Sequence, residues 1–271
     1  PPFLSKDPDD PFAEVMMYHH VNVVHDYFKD THGFAELDFA LPALVNVQLK
    51  VVPPIAFGPF VPGPDGWYAF PNAAFFPKES WAQLAAQFGL PERDQDSIIF
   101  GQADADFSYD ARVVYHEYTH AVIGTGRLGA PQVADVYGLN NEPFSMNEGI
   151  ADYFAATLSG PEIGVYGIGA INPGQVRDLS QPRRCPEDTI DEVHANGRVL
   201  GSTMWAVREA IGAEAADAIL FGAMEQFTLR TTHTEAAELM LVEAEALGLT
   251  EQVRGIFEDF GFIDCTRSMP V

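Results

Sequence analysis

The pattern of apolar and polar positions predicts helices near both ends of the chain and strands between them. Residues 12–34, FAEVMMYHHVNVVHDYFKDTHGF, place apolar side chains at helical spacing and reach Gly33, where a helix can end. Thr232 and Glu235 have the spacing of a capping box ahead of a later helix. We therefore predict a long first helix and four C-terminal helices, over residues 197–212, 213–227, 234–248 and 250–262.

Short apolar runs broken by proline and glycine occupy residues 43–77, which is typical of strands. The aromatic residues from Phe57 to Trp81 are interpreted as the core of an irregular sheet, with a hydrophobic substrate wall as the alternative. Residues 96–110, DSIIFGQADADFSYD, predict a further strand followed by an Asp-rich loop.

Two further segments carry the residues of chemical interest. Residues 112–124, RVVYHEYTHAVIG, predict one helix, and residues 145–160, SMNEGIADYFAATLSG, predict a second that ends at Gly160. A loop that contains proline and arginine is predicted for residues 161–192.

Length and pattern together indicate an α+β fold. A chain of 271 residues is long enough for a sizeable core and suits two lobes that share a cleft. We predict a β-rich N-terminal lobe, residues 1–122, that ends in the HEYTH helix. An all-helical C-terminal lobe, residues 123–271, follows, which puts this helix at the join, where ligand clefts form.

The composition narrows the class of protein. Apolar residues make up 47% of the chain, which indicates a globular protein and not a disordered one. The formal net charge is −24 and the pI is near 4.4, so the surface repels phosphate backbones and nucleic-acid binding is disfavoured. Such a surface suits hard cations such as calcium. No apolar run is long enough to span a bilayer.

The two cysteines and the first residues bear on the compartment. Cys185 and Cys265 lie in polar, proline-bearing segments, which favours a disulfide in an oxidising compartment over two buried thiols. The sequence begins PPFLSKDPDD and has no charged and apolar leader, so we expect a signal peptide or pro-segment to have been removed. Both observations favour a secreted protein.

The segment HEYTH has the residues of a metal site with a general base. His116 and His120 lie four residues apart, so a helix aims both imidazoles at one point. Zinc binds imidazole nitrogen readily, and Glu117, one step around the helix, is placed to reach a water and not to ligate. The alternative is a chance match on an amphipathic helix.

The segment NEGIAD supplies a third ligand. Glu148 can complete the metal site, and Asp152, one turn further on, can accept the outer N–H of a zinc histidine. The alternative for Glu148 is an ordinary glutamate that interacts with the helix dipole.

A further histidine lies in DEVHANG. His194 is predicted in a loop just before a helix, where an imidazolium can stabilise the oxyanion of a tetrahedral intermediate. Asp191 or Glu192 can hold it in position. The alternative is an ordinary surface histidine.

These motifs carry a family resemblance. HEYTH, NEGIAD and VHANGxxxGxxxW resemble, in order and spacing, the thermolysin-like and fungalysin-like zinc metalloendopeptidases of the gluzincin type. PNAAFFP is similar to the Asn-Ala-aromatic edge strand of that family, and VRDLSQP to the segment that bears its substrate-binding arginine. The resemblance extends over nearly the whole chain.

The resemblance implies a role for each matching residue. Zinc would be held by His116, His120 and Glu148, with Glu117 as base and proton shuttle and Asp152 orienting a zinc histidine. His194 would stabilise the transition state, with Tyr137 as the second oxyanion group and Tyr115 as a weaker alternative. The residues implied in binding the peptide substrate are Asn72, Ala73, Arg177, Val113 and Val176.

One departure from the family concerns calcium. Arg112 stands where thermolysin-like enzymes often have a calcium-binding aspartate, four residues before the first zinc histidine. Asp104, Asp106 and Asp110 leave a calcium site elsewhere open, with a solvated acidic loop as the alternative.

The sequence thus predicts a secreted zinc endopeptidase that cleaves peptides or proteins on the amino side of bulky apolar residues. Two alternatives remain: an inactive, zinc-stabilised protein-binding module, and an aminopeptidase that uses the same zinc motif. Serine chemistry is not supported, because the chain has no GxSxG motif.

Overall fold

The computed structural model describes residues 9–50, 68–88, 91–102, 106–129, 133–135, 138–167, 169, 172–190 and 192–265. The chain groups into two compact units. The first comprises Pro1–Val122 and Gly164–Val176, and the second comprises Ile123–Ile163 and Arg177–Val271. The protein is a mixed α+β structure in which helix prevails over strand.

The described helices and strands are interspersed up to residue 178, and four helices follow. The helices are α1 Pro11–His32, α2 Lys78–Phe88, α3 Ala111–Ile123, α4 Glu142–Ser159, α5 Val193–Ile211, α6 Ala213–Met224, α7 His233–Ala246 and α8 Thr250–Asp259. The strands are β1 Ala43–Leu49, β2 Tyr68–Ala69, β3 Ala73–Phe76, β4 Ser97–Gly101, β5 Val133–Asp135, β6 Gly138–Asn140, β7 Glu162–Ile163 and β8 Arg177–Asp178. None of the helices in the described part of the chain is both long and apolar enough to cross a membrane.

The long first helix is confirmed, and capping residues explain where it begins and where it ends. Asp10 caps the N-terminus, because its carboxylate accepts the N–H of Phe12, and Pro11 occupies the first helical position. At the other end Gly33 adopts a φ of 70°, and its N–H donates to the carbonyl of Lys29. Glycine adopts this left-handed conformation without the strain of a Cβ atom.

The first unit contains a sheet in the order β2-β1-β4-β3. β1 and β4 run parallel, and β3 pairs with β4 antiparallel, with Ala73 opposite Phe100. The predicted PNAAFFP strand is therefore β3 at one edge of this sheet. Phe70 and Trp81 belong to one of its core clusters.

Helix α2 was not predicted. Trp81 belongs to this helix and is fully buried, and its indole N–H donates to the carbonyl of Pro91 at 2.8 Å. The core role predicted for Trp81 is thus confirmed, but it lies on a helix that packs on the sheet and not in a strand. Phe57 lies outside the described residues.

Asp106 and Asp110, which precede α3, are buried, and this corrects the interpretation that places them in a solvated acidic loop. Asp106 accepts hydrogen bonds from the backbone N–H and hydroxyl of Ser108. Asp110 accepts the backbone N–H groups of Arg112, Tyr166 and Gly167. These carboxylates stay inside because unpaired backbone donors at a chain turn need acceptors. Asp104 lies outside the described residues.

Helices prevail in the second unit, but the strand pairs β5-β6 and β7-β8 also belong to it, so the prediction of an all-helical C-terminal lobe is wrong. A buried carboxylate links three of these helices. Asp217 of α6 accepts the hydroxyl of Tyr153 from α4 at 2.6 Å and Nη1 of Arg208 from α5 at 2.7 Å. The predicted disulfide is confirmed between Cys185 and Cys265. The predicted capping box is also confirmed, at Thr232 ahead of α7.

Candidate metal centre

Helix α3 presents two imidazoles to one point. Nε2 of His116 and Nε2 of His120 lie 3.0 Å apart, and the two rings meet edge to face. The one-turn spacing produces this arrangement, since residues four apart share a helix face. His116 is buried and His120 is half-buried. Glu117, the residue after His116, is also buried.

Helix α4 carries the third acidic candidate. Glu148 is buried about two turns into this helix. The predicted helix of residues 145–160 is confirmed, except that it begins three residues earlier, at Glu142. Pro143 in its first turn explains the earlier start, because proline favours this position.

His116, His120 and Glu148 form a group that could hold a metal ion. One ligand atom of each residue lies within 4.8 Å of the others, and this is the only such group of three or more among the described residues. Tetrahedral zinc with ligands at 2.0–2.1 Å places its ligand atoms about 3.3 Å apart. The 3.0 Å between the two histidine nitrogens is close to that spacing. Two imidazoles and a carboxylate therefore fit zinc, although imidazole also suits other transition metals.

His194 lies inside helix α5, which corrects its predicted place in a loop. The helix begins at Val193 because Glu192 caps it: the Glu192 carboxylate accepts the backbone N–H of His194 at 3.1 Å and of Ala195 at 2.7 Å. The same carboxylate lies 2.8 Å from Nδ1 of the His194 ring. Glu192 thus holds both the helix end and the imidazole.

The second ring nitrogen of His194 faces Glu148. Nε2 lies 3.4 Å from Oε2 of Glu148. Burial lowers the pKa of His194, but the charge of Glu148 and the hydrogen bond to Glu192 outweigh it, so this pKa is raised. Burial would raise the pKa of Glu192, but the bonds from His194 and from the backbone lower it to about 2.

Asp152 and Arg177 are brought together, although separate roles were predicted for them. Both carboxylate oxygens of Asp152 accept hydrogen bonds from Arg177, Nε and Nη2 each at 2.6 Å. The Asp152 side chain is fully buried. Arg177 lies in β8, which pairs with β7, and β7 follows α4 in the chain. This pairing places the arginine beside the helix that carries Asp152.

The remaining predicted substrate residues lie in the first unit. Asn72 immediately precedes β3 and is half-buried, and its carbonyl accepts the N–H of Gly101 at 2.9 Å. Ala73 is buried within β3. Val113 and Val176 are half-buried. Tyr137 and Asp191 lie outside the described residues.

Tyr115, the weaker oxyanion candidate, contacts another element. Its hydroxyl lies 2.8 Å from Nδ1 of His20 on α1, and burial raises its pKa. The side chain is nearly fully buried.

The sequence pattern did not identify the two glycines that set the packing of α4 on α5. Gly149 follows Glu148, and Gly197 lies three residues after His194. A Cβ atom at Gly149 would lie 2.3 Å from the carbonyl oxygen of Gly197. The small residues of NEGIAD and HANG are the sequence signal that could have indicated this close approach of the two helices.

Comparison with known proteins assigns no family to the chain, so its function is inferred from the residues of the site. No protein-family model matches the chain, and no curated protein matches it significantly.

Proposed function

We propose that the protein is a secreted zinc-dependent endopeptidase. The observation that carries this proposal is the group of His116, His120 and Glu148, with Glu117 adjacent on α3. The resemblance of the three motifs to thermolysin-like and fungalysin-like enzymes supports the same assignment.

The donor set agrees with a catalytic zinc. Three protein ligands with two imidazoles and one carboxylate are typical of such sites, whereas structural zinc is usually held by four ligands that include cysteine. Both cysteines of this chain are in the disulfide. A zinc ion bound here would supply Lewis acidity, which polarises a carbonyl group and acidifies water near neutral pH.

Glu117 is the general base of the proposed reaction. Its carboxylate takes a proton from the attacking water and then passes it to the leaving amine. Because water and not a side chain attacks the carbonyl carbon, no acyl-enzyme forms.

His194 stabilises the oxyanion in the proposed reaction. A charged imidazole can donate a hydrogen bond where negative charge develops on the carbonyl oxygen. The Glu192 carboxylate lies 2.8 Å from Nδ1, which fixes the orientation of the ring. Tyr137 is the second donor that the family resemblance implies.

The substrate is proposed to be a peptide bound as an added strand. β3 lies at a sheet edge, where an extended peptide can pair with the backbone near Asn72 and Ala73. Arg177 would bind a substrate carbonyl, and Val113 and Val176 would line an apolar pocket. This pocket favours cleavage on the amino side of bulky apolar residues.

Secretion is proposed from the disulfide. Disulfides persist in oxidising compartments and are rare in reducing ones.

The experiment is a cleavage assay with an unfolded protein as substrate, with product masses determined. Glu117→Gln should lower kcat by at least about 100-fold, because a general base contributes that much or more. Glu238→Gln, an exposed substitution on α7, is the matched control and should leave kcat unchanged.

The product masses separate the alternatives. Internal cleavage that Glu117→Gln abolishes supports the endopeptidase, and release of single N-terminal residues would indicate an aminopeptidase. Zinc binding without any cleavage would indicate the inactive binding module. Full activity in Glu117→Gln would contradict the proposed mechanism.

A further inference from the structure

Helices α4 and α5 approach so closely at Gly149 and Gly197 that neither position has room for a Cβ atom. A Cβ at Gly149 would lie 2.3 Å from the carbonyl oxygen of Gly197. A Cβ at Gly197 would lie 2.6 Å from the carbonyl oxygen of Ser145 and 2.9 Å from the nitrogen of Gly149. These obstacles are backbone atoms, which cannot rotate aside as the end of a long side chain can. The two glycines therefore fix the separation of the helices at this level.

The glycine contact lies next to two residues of the proposed reaction. Glu148 precedes Gly149, and a Cβ at Gly197 would lie 3.1 Å from the Cβ of Glu148. His194 stands three residues before Gly197, on the neighbouring turn and the same side of α5. Across this contact Nε2 of His194 lies 3.4 Å from Oε2 of Glu148.

We propose that Gly149 and Gly197 are positioning residues, whose backbone contact sets the distance of His194 from Glu148 and hence from the reacting carbonyl. The inference rests on the proposed function, since only there do the two side chains act on one substrate. A side chain at Gly149 displaces α5 by about 1 Å, because non-bonded atoms need roughly 3.5 Å between centres. Misplacement of a catalytic group by about 1 Å can lower the rate about 100-fold.

The glycine contact has a positioning role, and not only a packing role, if its loss lowers kcat by moving His194. Packing alone predicts a less stable protein whose folded fraction keeps its kcat. Positioning predicts a folded protein that keeps its metal but loses kcat, because His116, His120 and Glu148 do not lie on α5 and only His194 moves with that helix.

The test compares Gly149→Ala with Gly255→Ala, a matched glycine substitution on another helix. Gly255 lies on α8 and is exposed, and a Cβ atom there would have nothing within 4 Å. Gly149→Ala should lower kcat about 100-fold with about one zinc per chain retained. Gly255→Ala should change kcat by less than about twofold, since an exposed helix position gains only helix propensity. An unchanged kcat in folded Gly149→Ala would overturn the proposal.

A double variant separates positioning from a structural effect. Gly149→Ala combined with His194→Ala should be about as active as His194→Ala alone, because residues that act as one unit are not additive. If the losses of kcat in the two single variants multiply in the double variant, the proposal is overturned.

Crystal structures give a readout that does not depend on activity. In metal-free Gly149→Ala the separation of His194 Nε2 from Glu148 Oε2 should grow by about 1 Å relative to wild type. An unchanged separation would overturn the proposal.

Gly197→Ala tests the same contact from the opposite helix, should Gly149→Ala not fold. Failure of both variants to fold would overturn the positioning role, since the contact would then serve the fold itself. A wild-type protein without peptidase activity would contradict the proposed function, while the crystallographic distance would still decide whether the glycines set this spacing.

Discussion

Arg177 forms a bidentate ion pair with Asp152, in which both nitrogen–oxygen distances are 2.6 Å. Asp152 is fully buried and the Arg177 side chain is 17% exposed. The pair joins β8 to α4, the helix that also carries Glu148. The pair therefore supports the helix that carries one candidate metal ligand.

Loss of Arg177 should destabilise the protein strongly. Arg177→Gln removes the guanidinium that donates two hydrogen bonds to the buried carboxylate of Asp152, which costs about 3 kcal/mol in the free energy of unfolding. Urea denaturation measures this loss. In Arg177→Gln/Asp152→Asn part of the stability should return, because no buried charge remains.

An exposed pair provides the control for Arg177. Arg184 and Asp259 form an ion pair at 2.8 Å with side-chain exposures of 46% and 65%. Arg184→Gln should therefore cost less than about 1 kcal/mol, since solvent screens exposed pairs. Equal losses at the two positions would contradict the distinction between buried and exposed pairs.

Glu192 should make the stability of the protein depend on pH in the acid range. Its pKa is lowered from 4.5 to about 2, so its stabilisation is fully present above pH 4.5 and is lost as the pH falls toward 2. Glu192→Ala should lower the free energy of unfolding at pH 7 by about 1 kcal/mol, the usual contribution of an N-cap.

Unfolding in urea at several pH values, with chelator present, checks this expectation. The difference between wild type and Glu192→Ala should shrink as the pH falls below 4.5. Glu238→Ala, exposed on α7, is the control and should show no such pH-dependent difference. A difference that stays constant from neutral to acid pH would argue against the cap.

The disulfide should contribute substantially to stability. Cys185 and Cys265 are separated by 80 residues, and a crosslink across a loop of that length stabilises by up to about 4 kcal/mol. Reduction, or Cys185→Ser with Cys265→Ser, should lower the midpoint of urea unfolding accordingly. Alkylation of the unfolded chain without reductant should leave its mass unchanged, and two added labels would show that the bond is absent.

The local features of the fold were predictable where one residue type sets the backbone. Gly33 ends α1 because glycine, which has no Cβ atom, adopts a positive φ without strain. Thr232 and Glu235 cap α7 by short-range hydrogen bonds. The histidine pair of α3 followed from helical spacing.

Features that depend on tertiary contacts were not predictable from sequence. The burial of Asp106 and Asp110 depends in part on donors at Tyr166 and Gly167, far away in the chain. His194 was expected in a loop because a glutamate such as Glu192 is a less common cap than serine or aspartate. The approach of Gly149 to Gly197 also depends on packing between helices.

The most direct test of the central claim is the zinc content of the purified protein, measured with peptide cleavage during chelation and zinc return. We predict about one zinc per chain, as three protein ligands at one centre imply. Cleavage should be lost with the metal and restored by zinc. Glu148→Gln should reduce both, while Glu238→Gln should change neither. A folded protein that binds no zinc, or cleaves equally well without it, would contradict the account.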